Sequence, residues 1–319
     1  MRCRPRISAI VMTDRQRQRG EKCLRSILGQ SVIKDMEVLL LDFAPATVRR
    51  LPSSHHPAVR LVRLNHAIGF GCARALAVRM ARAPIVAFFE EHVAARPGWA
   101  KAILRAHAGG WAGVGPEVHN LTSGQGLSDL IFLAGYGDWA PPLAAGESRL
   151  IPGQNSTFKR DVLLRYGPEL DRLLEADTLL QWRMCADGYR LYHAPEAKIE
   201  HASEGSLRTL MFGYYLVMRH FAPLRAELYH WPPLKRALRL ILAPLGPFYR
   251  SARLLWGLAS RRSSFFWKAL AGIWAIIGAH LGGAAGEAVG LLAGVPVHDR
   301  RFLIYEMNAD RAGSSPGPR

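Results

Sequence analysis

Residues 7–118 alternate short apolar runs with segments whose apolar residues recur at helical spacing. The runs are typical of buried strands and lie at residues 7–12, 37–41, 59–64, 85–89 and 112–118. Helical spacing is found over residues 16–30, 71–83 and 99–107. Strands that alternate with helices predict an α/β fold, in which a mostly parallel sheet is flanked by helices.

Polar residues directly follow four of these strands. In open sheets of this kind the ligand binds beyond the carboxyl ends of the strands, so these residues are the first candidates for a site. They are Thr13, Asp14, Asp42, Asn65, Glu90, Glu91 and His92. No strand is followed by Gly-x-Gly-x-x-Gly, which disfavours a dinucleotide-binding domain.

The composition limits the classes of partner and the compartment. A net charge of +17 suits nucleic acid, anionic lipid or a phosphorylated substrate. The sequence has no helix-turn-helix, RNP or zinc pattern, so we expect no nucleic-acid partner. Its four cysteines form no C-x-x-C pair, which indicates isolated thiols in a reducing compartment. The apolar run near the N-terminus is too short for a signal peptide, so we expect the cytosolic side.

Composition also divides the chain into three regions. Residues 1–203 form the sheet domain, which closes with elements at 155–159, 161–166, 178–186 and 190–193. Its Gly-, Pro- and Trp-rich stretch 120–150 is predicted to be a long ordered loop over the site. Residues 204–298 are predicted to be helical, and residues 299–319 to be a partly disordered tail, with the disorder at 309–319.

From Ile7 to His201 the order of motifs resembles the family-2 glycosyltransferases of the GT-A fold. The opening strand and helix read ISAIVMTDRQ and LRSILGQS, and the second strand reads EVLLLDFAP. NHAIGFGCARALAVRMA resembles the family's N-x-G-x-x-x-A-R-N segment, and IVAFFEEHVAARPGW resembles its D-x-D strand. IPGQNSTFKRDVLLRYG resembles its G-G-N-x-x-x-R-R segment. EADTLLQWRMCADGYRLYHAPEAKIEH resembles its E-D-x-D-L-x-x-R segment. The resemblance implies a Rossmann-like GT-A domain that uses a nucleoside-diphosphate sugar.

Four positions depart from the family's pattern. The D-x-D position reads Glu90-Glu91-His92, Asp42 is followed by Phe43, the E-D position reads Ala176-Asp177, and Ala75 replaces the helix asparagine. Two functions therefore stay open. One is an inverting glycosyltransferase, and the other is a catalytically inactive relative that binds nucleotide or acts as a partner subunit.

The donor site is predicted at the ends of the first strands. A carboxylate that ends a buried strand can accept hydrogen bonds from a base or ribose, and by resemblance Asp42 binds the nucleoside with Thr13 and Asp14. A loop-capping aspartate is the alternative. Arg74 is expected to pair with the diphosphate, although a solvated helix arginine gives the same pattern. The remaining predicted donor contacts are Asn65, Glu91 and Asn155, the last from a Gly-Gln-Asn segment that otherwise forms a turn.

A metal site is predicted at the end of the fourth strand. Alternation along an extended chain puts Glu90 and His92 on one side and Glu91 on the other. By position these two replace the aspartates of D-x-D, and His201 is the natural third ligand. An imidazole suits Mn²⁺ better than Mg²⁺, which prefers oxygen ligands. The alternative is a solvated acidic turn without a metal.

Asp177 is the predicted general base. It opens a helix, where N-capping is the ordinary role of an aspartate. By resemblance it takes the acceptor proton in a single displacement with inversion, and Glu175 is the second choice. Trp182 and Arg183 lie on the same helix and are expected to shape the acceptor or phosphate side.

The C-terminal third predicts a membrane partner. Residues 265–294 are long enough to cross a bilayer, but Lys268, His280 and Glu287 argue against a simple span. The Arg-rich, Pro-broken stretch 234–262 fits an interfacial helix. The run WAIIGAHLGGAAGEAVGLLAGVP also resembles membrane segments appended to some bacterial members of the family. We therefore expect a lipid-linked or glycan acceptor, an anionic membrane surface and the cytoplasmic face of the inner membrane, with a soluble helical pair as the alternative.

Overall fold

The computed structural model describes residues 4–295 and consists of two compact units. The first, here the sheet unit, comprises Met1–His119 and Pro141–His201, and the second, here the helical unit, comprises Asn120–Ala140 and Ala202–Arg319. The predicted tail at 299–319 lies outside the described residues.

The elements follow in chain order. The strands are β1 (Ile7–Thr13), β2 (Met36–Asp42), β3 (Val59–Arg63), β4 (Ile85–Phe89), β5 (Val93–Ala95), β6 (Gly113–Asn120), β7 (Gly146–Ser148), β8 (Thr157–Lys159) and β9 (Leu191–His201). The helices are α1 (Arg17–Leu28), α2 (Phe70–Met80), α3 (Trp99–His107), α4 (Ser128–Tyr136), α5 (Arg160–Leu164), α6 (Leu170–Leu173), α7 (Asp177–Ala186), α8 (Leu207–Leu228), α9 (Pro233–Leu242), α10 (Gly246–Ser260), α11 (Phe265–Ala271) and α12 (Ile273–Ala293).

The described strands form one mixed sheet in the order β3-β2-β1-β4-β8-β6-β9-β5, with β7 paired to β9. The pairs β3-β2, β2-β1 and β1-β4 are parallel, as the alternation of strands and helices predicted. Beyond β4 the pairings of β8 with β4 and β6, and of β9 with β5 and β7, are antiparallel. Every residue of β1 and β2 is buried, because parallel strands are covered on both faces.

The stretch 120–150 is not one long loop, and that prediction is wrong. It contains α4 and β7, and α4 buries Ile131, Phe132 and Leu133. The many glycines and prolines on either side conceal a nine-residue helix with a strongly apolar sequence. Asn120–Ala140 also groups with the C-terminal helices rather than with the sheet.

The helical unit is centred on α8 and α12. Glycines of α12 lie directly against the backbone of α8: a Cβ on Gly282 would lie 2.2 Å from the Met211 carbonyl oxygen, and one on Gly286 would lie 2.1 Å from that of Tyr215. Both numbers rise by four between the two contacts, so the helices run parallel. Among the described residues α12 alone has the length and apolarity to cross a membrane, and 56% of its most apolar stretch is buried within the protein.

Candidate functional site

Three side chains converge just beyond the end of β4. Glu90 and His92 follow the strand, and His201 ends β9, where it is paired with Val93. The Nε2 atoms of His92 and His201 lie 2.9 Å apart. A Glu90 carboxylate oxygen lies 3.9 Å from Nε2 of His92, and the other lies 3.5 Å from Nε2 of His201. The structure brings these three residues together, and their binding of a metal stays a prediction.

The chemistry of this donor set fits a divalent cation. Two imidazole nitrogens and a carboxylate oxygen all lie within 4.8 Å of one another. The two Nε2 atoms are close enough to share either a proton or a cation. Both histidines are buried. Glu90, His92 and His201 can therefore hold a metal, and the imidazoles favour Mn²⁺ over Mg²⁺.

Asn155 holds the Glu90 residue at two points. Its Nδ2 donates to Glu90 Oε2 at 2.5 Å, and its Oδ1 accepts the Glu90 backbone N–H at 3.1 Å. Asn155 is buried at the end of the short 3-10 turn Gly153–Asn155. The structure thus places Asn155 where it orients a candidate metal ligand, and its contact with the donor sugar stays a prediction.

Glu91 lies on the other side of the chain from Glu90, as alternation predicts. Its carboxylate accepts hydrogen bonds from Thr13 Oγ1 at 3.0 Å and from the Asp14 backbone N–H at 3.2 Å. Burial raises the pKa of Glu91 to about 8. Asp14 Oδ2 in turn lies 2.9 Å from His66 Nε2. These contacts join the residues that follow β1, β3 and β4 at the carboxyl edge of the sheet.

Asp42 ends β2 and is held by an arginine. Arg17 forms a two-point ion pair with it, at 2.8 and 3.0 Å, and the Ala44 backbone N–H donates to Oδ1 at 3.1 Å. Asn65 is exposed, and its Oδ1 accepts the Ala67 backbone N–H at 3.0 Å. Both residues therefore stabilise loops at the predicted donor edge, and their contact with a nucleoside stays a prediction.

Asp177 lies at the start of α7 but does not cap it. Ala176 is the N-cap residue, and no side-chain cap bond forms. Asp177 Oδ1 instead lies 2.8 Å from Arg74 Nη2, in an ion pair whose geometry is not that of a hydrogen bond. This buried Oδ1 has no hydrogen-bond partner among the described residues.

Arg74 is an interior residue rather than a solvated one. Its side chain is 2% exposed, Nη1 donates to the Leu174 carbonyl at 2.9 Å, and the guanidinium lies 4.2 Å from the ring centre of Phe88. Together with the Asp177 ion pair, these contacts fasten α2 to the start of α7. A contact between Arg74 and a diphosphate stays a prediction.

Glu175 supports the N-terminus of α2. Its Oε2 accepts the Gly71 backbone N–H at 2.6 Å, a position where helix amides favour a carboxylate. Burial raises the pKa of Glu175. Farther along α7, Arg183 is exposed and pairs with Asp187 at 3.1 Å. Neither contact favours Glu175 over Asp177 as the base.

Gly153 links the Asp177 region to the candidate metal site. A Cβ on Gly153 would lie 2.3 Å from the Cβ of Asp177. The same 3-10 turn ends at Asn155, which holds Glu90. The turn is therefore in contact with the predicted base at one end and a predicted metal ligand at the other.

Replacing Arg74 with methionine is expected to destabilise the sheet unit. Breaking a largely buried ion pair leaves Asp177 without its counter-charge, which costs about 3–5 kcal/mol. The exposed pair Arg79–Asp171, also anchored on α2, is the matched control, and its loss costs at most about 1 kcal/mol. Thermal or urea unfolding of Arg74→Met and Arg79→Met measures both. Equal losses for the two variants would contradict the interior role of Arg74.

The sequence interpretation missed three residues that contact the predicted site residues: Arg17, His66 and Gly153. Arg17 and His66 lie within four residues of the ends of β1 and β3, so their position near a strand terminus was an available signal. The sequence gave no signal for the contact of Gly153 with Asp177, because Asp177 begins a helix 24 residues later. Sequence reasoning also left the partners of Arg74 and Asp42 undetermined.

The sheet order, with polar residues gathered at the carboxyl ends of its parallel strands, is that of the GT-A fold. The solved mannosyltransferase PcManGT from Pyrobaculum calidifontis, in complex with GDP-Man and Mn²⁺, is similar over 90% of this chain and 87% of its own, with 21% identity and a TM-score of 0.55. No protein-family model and no curated protein sequence matches.

Two further structures have TM-scores below 0.5, so the fold assignment rests on the mannosyltransferase. GalNAc-T7 with UDP, GalNAc and Mn²⁺ matches at 12% identity and a TM-score of 0.49, over 62% of this chain and only 43% of its own. S. aureus TarS 1-349 matches at 17% identity and a TM-score of 0.48, over 75% of this chain and 69% of its own.

Proposed function

We propose that this chain is a glycosyltransferase that moves a sugar from a nucleoside-diphosphate sugar to an acceptor hydroxyl, with inversion. The observation that carries the proposal is the cluster of Glu90 with the buried His92 and His201 at the carboxyl edge of a GT-A sheet. The motif order supports a family-2 enzyme of the bacterial type. The structural neighbour with GDP-Man and Mn²⁺ supports a nucleotide-sugar donor and a divalent metal.

The donor lies across the carboxyl ends of β1, β2 and β4 in this proposal. Thr13, Asp14 and Asp42 contact the nucleoside, from loops that Glu91 and Arg17 hold in place. Glu90, His92 and His201 hold a divalent cation, with Mn²⁺ favoured over Mg²⁺. When bound, such an ion neutralises the charge that develops on the diphosphate leaving group. Asn155 keeps Glu90 oriented for that role.

Asp177 acts as the general base. The acceptor oxygen attacks the anomeric carbon as the bond from that carbon to the diphosphate oxygen breaks, and the acceptor proton passes to the Asp177 carboxylate. Arg74 positions this carboxylate through the ion pair with its Oδ1. Glu175 is the second candidate, and its Oε2 accepts the Gly71 backbone N–H.

A second candidate function is an inactive relative that binds nucleotide or serves as a partner subunit. The ion pairs Arg17–Asp42 and Arg74–Asp177 favour it, because each places an arginine on a carboxylate that the transferase proposal uses. Turnover of a donor separates the two functions, since both allow donor binding.

The acceptor is proposed to be a lipid-linked or cell-surface glycan, used at the cytoplasmic face of the inner membrane. The helical unit supports this assignment, because the exposed large apolar side chains of the described residues all belong to it. A membrane-bound acceptor would be concentrated where such a surface attaches.

Thermal unfolding with a panel of nucleotide sugars tests the donor and the metal. A ligand at 100 times its Kd stabilises the folded chain by about 2.7 kcal/mol, so the correct donor with Mn²⁺ should raise Tm by several degrees. His201→Ala is expected to lose the Mn²⁺-dependent part of the shift. If no nucleotide sugar shifted Tm with or without Mn²⁺, the proposed donor site would be wrong.

A further inference from the structure

The exposed large apolar side chains of the described residues lie in the helical unit, and α9 carries a continuous row of them. Helix α9 carries Leu234, Leu238, Ile241 and Leu242, and Leu245 follows it, with exposures from 43% to 81%. Their spacing of 4, 3, 1 and 3 residues places them on one face of a helix. We call these five residues the apolar stripe. A stripe of this size on a protein surface indicates a binding partner.

The opposite side of α9 is fixed to the rest of the unit. Leu240 packs against the buried cluster that contains Trp231 and Leu291. Arg239 forms an ion pair with Glu287 of α12 at 2.5 Å. The stripe is therefore held facing outwards by contacts on the other face of the same helix.

Helix α10 continues the pattern with aromatic residues. Phe248, Tyr249 and Trp256 are 57%, 71% and 77% exposed, whereas Leu254 and Leu258 on the other face are buried. Trp and Tyr are the side chains that concentrate at the headgroup level of membranes. The outward faces of α9 and α10 thus combine an aliphatic stripe with interfacial aromatics.

The sequence around α9 and α10 is strongly basic. Between Glu227 and Glu287 the sequence contains no Asp or Glu. It contains eight basic residues: Lys235, Arg236, Arg239, Arg250, Arg253, Arg261, Arg262 and Lys268. Lys235 borders the stripe, and its Nζ lies over the Trp231 ring. Four of the eight form ion pairs with acidic residues of the same unit: Arg239 and Arg250 with Glu287, Arg253 with Asp138, and Lys268 with Asp129. Lys235 and Arg236, beside the apolar stripe, complement an anionic lipid surface, at which each contributes about 1 kcal/mol.

Helix α12 also exposes apolar side chains, at Trp274, Leu281, Val289 and Leu292, but its other face has internal polar contacts and the helix contains no Lys or Arg. The glycines of α12 pack against α8. Glu287 is buried in ion pairs with Arg239 and Arg250, and His280 bonds to Ser251. A helix with these internal contacts is a support for α9 and α10 rather than a lipid-bathed span.

We propose that the outward faces of α9 and α10 form an interfacial anchor, which lies in the plane of an anionic bilayer. The apolar stripe enters the boundary between headgroups and acyl chains, and Lys235 and its basic neighbours contact the phosphates. The anchor specifies the membrane partner named in the proposed function. Its residues belong to the helical unit and those proposed for sugar transfer belong to the sheet unit, so either proposal can fail without the other.

Vesicle flotation of the full chain tests the anchor. The purified protein is mixed with vesicles of phosphatidylcholine alone or of phosphatidylcholine with phosphatidylglycerol. It should float with the anionic vesicles, weakly with the neutral ones, and less in about 1 M salt, where the Debye length is about 3 Å. Alkaline carbonate should release the bound protein from the vesicles, because a helix in the plane of the bilayer does not span it.

A matched pair of variants locates the surface. Ile241 in the stripe and Leu292 on α12 are 73% and 75% exposed, so glutamate at either position should leave the fold intact, which Tm measures. Ile241→Glu should weaken vesicle binding at least about tenfold, and Leu292→Glu should leave it nearly unchanged. Equal effects, resistance to carbonate, or binding to neither vesicle would overturn the anchor. Self-association that Ile241→Glu abolishes, in place of vesicle binding, would assign the stripe to a second copy. Each outcome leaves the nucleotide-sugar assays of the sheet unit unaffected, so failure of the anchor is distinguishable from failure of the transferase.

Discussion

Replacing Asp177 with asparagine should lower kcat about 10²- to 10⁴-fold, the range that a positioned general base contributes. Donor affinity should be nearly unchanged, because the base acts on the acceptor proton in the transition state and not on the bound nucleotide. Asparagine is similar in shape to aspartate and retains the contact with Gly153, but it removes the counter-charge of buried Arg74, so the unfolding of the variant is measured together with its kcat. Initial rates with saturating donor, together with Kd from calorimetry, measure the two effects separately.

The matched control for this substitution is Asp171→Asn. Asp171 also pairs with an arginine of α2, at 2.6 Å, but that pair is exposed. Its loss should leave kcat near the wild-type value. If Asp177→Asn retained most of its turnover, the base assignment would fail, and Glu175→Gln would be the next variant to measure.

Replacing Glu90 with glutamine is the second change with a large expected effect. The carboxylate supplies the only negative charge among the three predicted ligands, and its loss should weaken Mn²⁺ binding by at least about tenfold. Turnover should fall by about two orders of magnitude or more, because metal neutralisation of a leaving group contributes several kcal/mol. Mn²⁺ titration by calorimetry and rates with and without a chelator measure both.

The neighbouring carboxylate provides a control for metal binding. Glu91 faces Thr13 and Asp14 rather than the two histidines, so Glu91→Gln should retain Mn²⁺ affinity. Loss of Mn²⁺ binding in both variants would mean that the segment, and not the Glu90 carboxylate, is responsible. Full activity of the wild-type chain in excess chelator would remove the metal from the proposal.

Local sequence patterns were sufficient for the parallel half of the sheet and for part of the site. Apolar runs bounded by polar residues located β1, β2 and β4, and alternation correctly separated Glu90 and His92 from Glu91. The position of His201 after a strand-like run allowed it to be grouped with them. These features depend on residues close in sequence, or on the rule that ligands gather at the carboxyl ends of strands.

The remaining contacts depend on packing between distant segments. Arg74 and Asp177 are paired because α2 lies against the start of α7, and no local pattern specifies that packing. The same reason explains Arg17 on Asp42 and Gly153 on Asp177. Between residues 120 and 150, glycines and prolines concealed α4, whose helical state is stabilised by burial of Ile131, Phe132 and Leu133.

Donor turnover by the purified full-length chain tests the central claim most directly. The measurement is release of nucleoside diphosphate from a panel of nucleotide sugars, with Mn²⁺ and lipid extract present, for the wild type and for Asp177→Asn. The transferase proposal predicts that one donor is consumed, that release depends on the extract as acceptor, and that Asp177→Asn lowers it at least about 10²-fold. A donor that stabilises the chain but is never consumed, with wild type and variant alike, would contradict it and favour the inactive relative.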